Sequence, residues 1–550
     1  MRDAEVLLSD DVRRLARGTG ILLPATLVGN ALLLGLDFYV NGVLGNAGYG
    51  VFNAVTRVMG LAGFVVLLGM ENAVIRYVAR SSVPDGRSVA MRAAAWVCGA
   101  SVIAATLLIV TAPRTAAWVD PSPGTALALQ IAAVSLPFAG LRMVAVAAAQ
   151  GWGEVTPRAV LMFLVWPMAQ IIGVTLIWSA GSGSSGSGFG AGSGGVAGVT
   201  AAYTLSMAMG AGLAVVFAVR AARRSGEARQ TSADAGSPTA SGNGSAPSSR
   251  AISSAELLRF AWPLWAQGIL MALYTWADQV LLAGLRSAED AGIYGPVARL
   301  APLFGLGLGA LNGMFAPMIA EKHAAGKQEE LQALYRTVTR WALVIALPPA
   351  VLSLVRPEVV LGLWPHGSPE ASDALRVTVV AQLVCTAVGS VNYLLIMAGR
   401  ERLVLWNAIP AVVVNFAASF WLIPRYGPLG AALANALAMV FANVLAFLQV
   451  RSTLQITPFR SFGIGRAAVA SVLAGLAVAF IPTGFVCRVV PIGALAGRWV
   501  EGALFGMLTL AVFGGALGLL GLDADDRVVI NVLRQKFGRG ARPGASKGSS

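Results

Sequence analysis

The stretch Asp37-Phe-Tyr-Val-Asn-Gly-Val-Leu-Gly-Asn-Ala-Gly-Tyr-Gly50-Val-Phe-Asn-Ala-Val-Thr-Arg57 decides the fold, because its skeleton returns later as Asp278, Gly292 and Arg299. The glycine-to-arginine spacing is seven residues in both copies, and Gly292 follows Gly50 by 242 residues. Both copies are embedded in apolar sequence, where charges are rare and mark functional positions by default. The repeat therefore reports a duplicated membrane protein that carries charge at matching points of its two halves.

Composition agrees with that class. The chain is 56% hydrophobic and 12% charged, with a mean hydropathy of +0.71, whereas a soluble domain carries about 25% charged residues. Apolar runs of about 20 residues, each long enough to cross a bilayer as a helix, recur fourteen times. They fall near 18–43, 48–70, 89–112, 125–149, 158–180, 196–219, 256–284, 291–319, 337–355, 374–398, 403–423, 428–450, 466–487 and 499–521. A backbone in lipid must satisfy its own hydrogen bonds, which makes these helices. The expected fold is all-α and polytopic, with about fourteen transmembrane helices.

The basic residues set the orientation. With the N-terminus in the cytoplasm, thirty of the forty Lys and Arg residues fall on the cytoplasmic side. Seven fall outside (Arg114, Arg286, Arg356, Arg376, Arg425, Arg488 and Arg498), and Arg57, Arg142 and Arg299 stay within helices. That bias predicts N-in, C-in topology. It also accounts for the net charge of +14 through anionic lipid on one face, without nucleic acid. The first helix reads as an uncleaved signal-anchor, since no small-residue cleavage site follows a short apolar run. Cys98, Cys385 and Cys487 are widely separated and read as packing residues.

The repeat extends beyond the opening motif. Gly153-Glu154 corresponds to Gly399-Arg400, an offset of 246, and Gly195-Val-Ala-Gly198 corresponds to Gly427-Pro-Leu-Gly430, an offset of 232. The difference equals the length of the Gly/Ser run 181–194, which is therefore an insertion in one copy's outer loop. Two six-helix units with an even helix number form a parallel repeat about an axis along the membrane normal. The expected organisation is an N-terminal lobe over 1–220, a flexible cytoplasmic linker over 221–254, a C-terminal lobe over 255–451, two further helices over 452–522 and a basic disordered tail over 523–550. Residues 3–17 are expected to form a short amphipathic surface helix.

Enzyme motifs are lacking. Gly181-Ser-Gly183-Ser-Ser-Gly186 has a dinucleotide-fingerprint spacing but lies in low-complexity sequence with no strand before it. There is no Walker A, HExxH, CxxC or nucleophile-elbow sequence, and no cofactor is expected. The buried polar residues carry more information. Asn30, Asp37 and Asn41 share one helix face, as do Gln267, Tyr274 and Asp278. Two polar stripes at equivalent places imply a central cavity, with Asn30 and Gln267 as candidate substrate contacts.

Two readings of the charges stand side by side. In one, Asp37 bridges to Arg57 and Asp278 to Arg299, each pair stapling its own helix hairpin. In the other, Arg57, Arg142 and Arg299 face a hydrated cavity and hold an anionic substrate, since guanidinium grips phosphate oxygens as a bidentate fork. Asp37 and Asp278 then take up H⁺ or Na⁺ to drive cycling. Arg142 has a further option, snorkelling to the cytoplasmic surface. Glu71 is expected to bind Arg76 or Arg80, and Gly305, Gly307 and Gly309 to form a strip for close helix packing.

Three stretches carry a family resemblance. They are Arg259-Phe-Ala-Trp-Pro263 with Asp278-Gln-Val-Leu-Leu and Ala291-Gly-Ile-Tyr294 to Arg299; Gly50-Val-Phe to Arg57 followed by Gly69-Met-Glu-Asn-Ala-Val-Ile-Arg-Tyr-Val-Ala79; and Tyr426-Gly-Pro-Leu-Gly430-Ala-Ala. In order and spacing, these resemble the polysaccharide (oligosaccharide) flippases of the multidrug/oligosaccharidyl-lipid/polysaccharide exporter superfamily. The resemblance implies two six-helix lobes in a V around a central cavity. It implies flipping of a polyprenyl-diphosphate-linked oligosaccharide to the outer leaflet for cell-surface polysaccharide, by alternating access. Arg57, Arg142 and Arg299 would engage the diphosphate. The implied partners are the lipid-linked oligosaccharide, membrane lipids, a proton or Na⁺, and a polysaccharide assembly machinery. A lipid II flippase and a multidrug–cation antiporter are the alternatives, the latter disfavoured by buried arginines. The use of 36 Arg against 4 Lys points to a GC-rich bacterial genome and the bacterial inner membrane.

Overall fold

Local sequence starts and stops the helices. Ser253 accepts a hydrogen bond from the Glu256 amide at 3.2 Å and so caps the helix that follows. Ser82 does the same for the Asp85 amide at 3.3 Å. The computed structural model describes residues 2–154, 156–182, 193–234, 253–458, 465–482 and 494–520. No strand occurs among the described residues.

In chain order the helices are α1 (Arg2–Leu67), α2 (Met70–Arg80), α3 (Val83–Val119), α4 (Pro123–Ala133), α5 (Ser135–Gly151) and α6 (Thr156–Val160). A π-helical turn, Leu161–Val165, leads into α7 (Trp166–Ser182), followed by α8 (Ser193–Asp234), α9 (Ser254–Leu285), α10 (Ala288–Phe304) and α11 (Leu306–Ala324). Then come α12 (Gln328–Val355), α13 (Pro357–Leu361), a 3₁₀ turn at Pro369–Ala371, α14 (Ser372–Val388), α15 (Val391–Met397), α16 (Glu401–Tyr426), α17 (Pro428–Leu454), α18 (Gly465–Ala479) and α19 (Ala494–Leu520).

Eleven helices among the described residues are long and apolar enough to span a membrane, so the chain is a multi-pass membrane protein. The fourteen expected segments do not map onto them one for one. The first two lie within α1, broken only at Gly45, whose φ of 67° is open to glycine and strained for other residues. The segment 291–319 is interrupted at Gly305, between α10 and α11. Within the expected segment 466–487, the described residues form the shorter α18. Helix α8 runs on to Asp234, into the expected linker, through Ala, Arg, Glu and Gln residues that favour helix. Residues 235–252, most of the Gly/Ser insert, Cys487 and the tail lie outside the described residues.

The exterior is that of a membrane helix bundle. Along α3, Met91, Trp96, Val102, Ile103, Leu107 and Val110 are all exposed, an apolar surface that lipid covers. Exposed hydroxyls there are satisfied within their own helix, Thr106 and Thr111 each donating to a carbonyl one turn back at 2.9 and 2.8 Å.

The chain forms two compact units, one comprising 1–300, 361–378 and 405–442 and the other comprising 301–360, 379–404 and 443–550. In the first unit, Leu36, Val40, Tyr49, Phe52, Leu129, Leu136 and Met207 build one core. Phe38 stacks edge-on to Trp364 at 4.4 Å, and Asn41 Oδ1 accepts the His366 amide at 3.0 Å. In the second unit, Val351, Ala470, Ala474 and Phe513 join α12, α18 and α19. Arg356 Nη2 donates to the Ala479 and Ile481 carbonyls at 2.6 and 2.9 Å and closes the end of α18. Of the expected glycine strip, Gly307 faces Ile345, where a Cβ would come within 2.8 Å, while a Cβ on Gly309 would meet nothing within 4 Å among the described residues.

Candidate functional site

The two copies of the motif meet at their own glycines, inside the first unit. A Cβ on Gly50 would lie 1.7 Å from the Ala288 carbonyl oxygen, and one on Gly292 would lie 1.9 Å from the Asn46 carbonyl oxygen. Asn46 and Ala288 are also 242 residues apart, so the contact is reciprocal. Only glycine admits backbones this close. The crossing brings α10 against the arm of α1 that follows Gly45.

This crossing exchanges the partners of the four charges. Arg299 Nε makes an ion pair with Asp37 Oδ2 across the repeat, and Arg299 Nη2 also donates to the Leu33 carbonyl at 3.4 Å. Arg57 Nε donates to Gln279 Oε1 at 2.7 Å, and its guanidinium carbon lies 5.9 Å from the Trp276 ring centre. Asp278 accepts the Tyr294 hydroxyl at 3.0 Å and the Gln279 amide at 2.8 Å. The two staples within hairpins, Asp37 to Arg57 and Asp278 to Arg299, do not form. Each arginine stands closer to the other copy's helix than to the aspartate of its own.

A cavity of about 240 Å³ opens beside these groups. Arg57, Arg299 and Asp37 line it, along with Asn53, Thr56, Gln170, Tyr49, Tyr203, Trp166 and Trp276. Asp37 offsets Arg299, and no ion pair joins Arg57 to a carboxylate among the described residues, so the cavity lining sets two guanidiniums against one carboxylate. Such a site holds an anion by charge-assisted hydrogen bonds. Its aromatic walls come from α7, α8, α9 and the second arm of α1. No cluster of three or more metal-ligating side chains occurs among the described residues.

Four of the residues singled out from the sequence lie outside the lining: Asn30, Arg142, Gln267 and Asp278. Asn30 and Gln267 are half-buried. Asp278 is bound by Tyr294 and the Gln279 amide as described above. Arg142 is 8% exposed and does not snorkel to the surface. Its Nε and Nη1 have no hydrogen-bond partner among the described residues, and its guanidinium carbon lies 5.9 Å from the centre of the Trp166 ring. Gly210 makes room for its stem, since a Cβ there would sit 3.1 Å from Arg142 Cδ. Glu71 binds Arg158 at 2.9 Å instead of Arg76 or Arg80; Arg76 lies over the Phe260 ring at 4.5 Å.

Sequence reasoning missed Gln279, Trp166, Gln170 and Tyr203. Gln279 adjoins Asp278, and that adjacency was the available signal. Trp166 and Gln170, one turn apart just after the π-helical turn, share a helix face, and such turns concentrate at functional sites.

Comparison with known proteins places the chain. It is 24% identical over 212 residues to the probable flippase AglR of Haloferax volcanii, a match that covers 37% of this chain and 44% of that protein. The chain thus spans less than half the length of this curated relative. Its fold is similar to that of the lipid II flippase MurJ in an inward closed conformation, with a TM-score of 0.63 and 13% identity over 90% of this chain and 98% of that one. It is also similar to an inward-facing MATE-family multidrug resistance transporter of the MOP superfamily, with a TM-score of 0.57 and 14% identity over 78% and 94% of the two chains. The polysaccharide biosynthesis protein family matches residues 15–322, more than half of the sequence, and the chain belongs to that family.

Proposed function

We propose that this protein is a flippase that moves a polyprenyl-diphosphate-linked oligosaccharide from the cytoplasmic to the outer leaflet of a bacterial inner membrane, and not an enzyme. The observation that carries the reading is the convergence of Arg57 and Arg299, equivalent residues of the two repeats, on one cavity that holds a single carboxylate. Arg57 is the primary ligand of the diphosphate, because its hydrogen bond among the described residues is to a neutral amide. Arg299 joins it when Asp37 releases the guanidinium, by taking up H⁺ or Na⁺. That exchange couples the ion to the substrate. Arg142, behind Trp166, adds positive potential to the same wall. The basic cytoplasmic loops orient the chain N-in and C-in, and the glycan moved is handed to a polysaccharide assembly machinery outside.

The AglR and MurJ likenesses support lipid-linked cargo in general. A lipid II flippase remains the nearest alternative. A cationic-drug antiporter suits this cavity poorly, because its free charge is positive. The test is flipping of a fluorescent polyprenyl-diphosphate oligosaccharide in proteoliposomes. Losing one charged hydrogen bond is worth about 1.5–3 kcal/mol, so Arg57→Gln should slow transport by about tenfold or more at unchanged protein yield. Wild-type rates in both Arg57→Gln and Arg299→Gln would rule the assignment out.

A further inference from the structure

A motif outside the charged site repeats as well. Trp118 and Ser122-Pro123 return as Trp364 and Ser368-Pro369, a Trp-x-x-x-Ser-Pro pattern displaced by 246 residues, the offset that relates Gly153 to Gly399. The first copy runs from the end of α3 into α4, and the second lies between α13 and the 3₁₀ turn and enters that turn. In both, the tryptophan end of the motif packs across the repeat. Trp118 lies on Gly284 of α9, where a Cβ would come within 2.3 Å of the indole. Trp364 meets Phe38 of α1 edge-on at 4.4 Å, and Pro365 beside it faces Gly42, where a Cβ would lie 3.1 Å from Pro365 Cγ. Gly284 follows Gly42 by 242 residues, as Gly292 follows Gly50, so the two contacts are reciprocal. Both fall within the first unit. Gly42 is three residues from the Gly45 kink and Gly284 is one residue from the last of α9, so both contacts sit at the end of their helices, where α1 turns.

The two contacts differ in firmness. Trp364 is fully buried, whereas Trp118 is 45% exposed. The Trp364 loop is also tied by its backbone, the His366 amide donating to Asn41 Oδ1 at 3.0 Å. Asn41 Nδ2 donates in turn to Asn46 Oδ1 at 3.3 Å, on the other side of the kink. Burial of Trp364 has a cost, because its Nε1 has no acceptor among the described residues. Water relieves the penalty of an unpaired N–H, so packing holds the indole in place while its own N–H favours release. A loop seated through one large side chain beside a helix kink has the build of a lid. We propose that Trp118 and Trp364 are paired latches, one from each repeat, that hold this end of the protein shut and withdraw when the cavity opens to that side, Trp364 being the stronger. The proposal rests on the flippase reading, in which that side is the outer face, and adds to it what closes the exit. Phe38 adjoins Asp37, so the stronger latch bears on the turn of α1 that carries the cavity carboxylate.

Locking the latch and freeing it provide two separate tests. A Cβ on Gly42 would lie 3.6 Å from Pro365 Cβ, within the span of a disulfide. Gly42→Cys with Pro365→Cys, in the full-length protein with Cys98, Cys385 and Cys487 changed to Ala, should therefore cross-link on oxidation. In proteoliposomes the oxidised protein should flip a fluorescent polyprenyl-diphosphate oligosaccharide at least about tenfold more slowly, and reduction should restore the rate. The reduced pair is its own check on folding. In spheroplasts, a Thr56→Cys reporter in the cavity lining should react with an external membrane-impermeant maleimide about tenfold faster when Trp364→Ala is added and about threefold faster with Trp118→Ala. Equal flipping by the oxidised and reduced protein overturns the latch. Failure of the pair to cross-link overturns it too, as does labelling that Trp364→Ala leaves unchanged. No flipping by the wild type, with labelling still raised by Trp364→Ala, overturns the flippase reading and upholds the latch.

Discussion

The two copies of one motif treat their charges differently. In one set, Asp37 and Arg299 are bound directly to each other. In the other, Asp278 takes a phenol and an amide, and Arg57 takes a carboxamide. The reason lies in two neighbouring positions. Tyr294 corresponds to Phe52, and Gln279 corresponds to Phe38. Where the second copy supplies neutral hydrogen-bonding partners, the first has two phenylalanines, so Asp37 and Arg299 have each other as charged partners. A near-symmetric scaffold thereby carries one closed ion pair and one cation that makes no ion pair among the described residues. Symmetry positions the charges, and two side chains decide which one is left for a ligand.

Breaking the closed pair is the largest expected effect. Removing one partner leaves the other charge without its counter-charge, at about 3 kcal/mol, the low end of the range for buried pairs because Arg299 keeps 29% of its side-chain surface. Asp37→Asn and Arg299→Gln should each lower thermal stability in detergent by that order, and the double variant should lose less than the sum. The exchange Asp37→Arg with Arg299→Asp should recover stability, whereas Asp37→Arg with Arg57→Asp should not. Recovery by the second pair alone would return the partners to their own hairpins.

The crossing beneath the charges comes next. Gly292→Ala puts a methyl into the Asn46 carbonyl, and overpacking of that kind costs about 1–3 kcal/mol, read as a fall in melting temperature. Smaller still is Tyr294→Phe, which removes one of the two bonds to Asp278 at about 1 kcal/mol. The finest test makes the first copy resemble the second. Phe52→Tyr offers Asp37 a phenol, and a double-mutant cycle should find the Asp37–Arg299 coupling reduced by about 0.5–1 kcal/mol. An unchanged coupling would mean that position 52 does not govern the difference.

Much of this architecture was legible in the sequence. Apolar runs marked the helices, and the recurrence of Gly50 and Arg57 as Gly292 and Arg299 marked the duplication. The ion-pair partners were not legible, because spacing along the chain favours a neighbour in the same hairpin. Only the close crossing of α1 and α10, a tertiary fact, carries Arg299 to Asp37. Trp166 and Gln170 were hidden for another reason. With the 246-residue offset their counterparts are Val412 and Phe416, so the repeat that exposed the charges is silent about them. Gly45 was hidden in a different way, since a helix break is easily read as a loop between separate segments.

The meeting of Gly50 with Gly292 has the geometry of an isologous contact, the kind a homodimer makes on its two-fold axis, where a residue faces its own copy. Inside a homodimer every substitution appears on both sides at once, so two Asp–Arg pairs must be alike. Joining the copies in one polypeptide lifts that constraint. Residue 294 can become tyrosine while residue 52 stays phenylalanine, and one ion pair can open while the other remains shut. The glycine crossing keeps the form of a dimer axis, and the side chains around it have the liberty of a single gene.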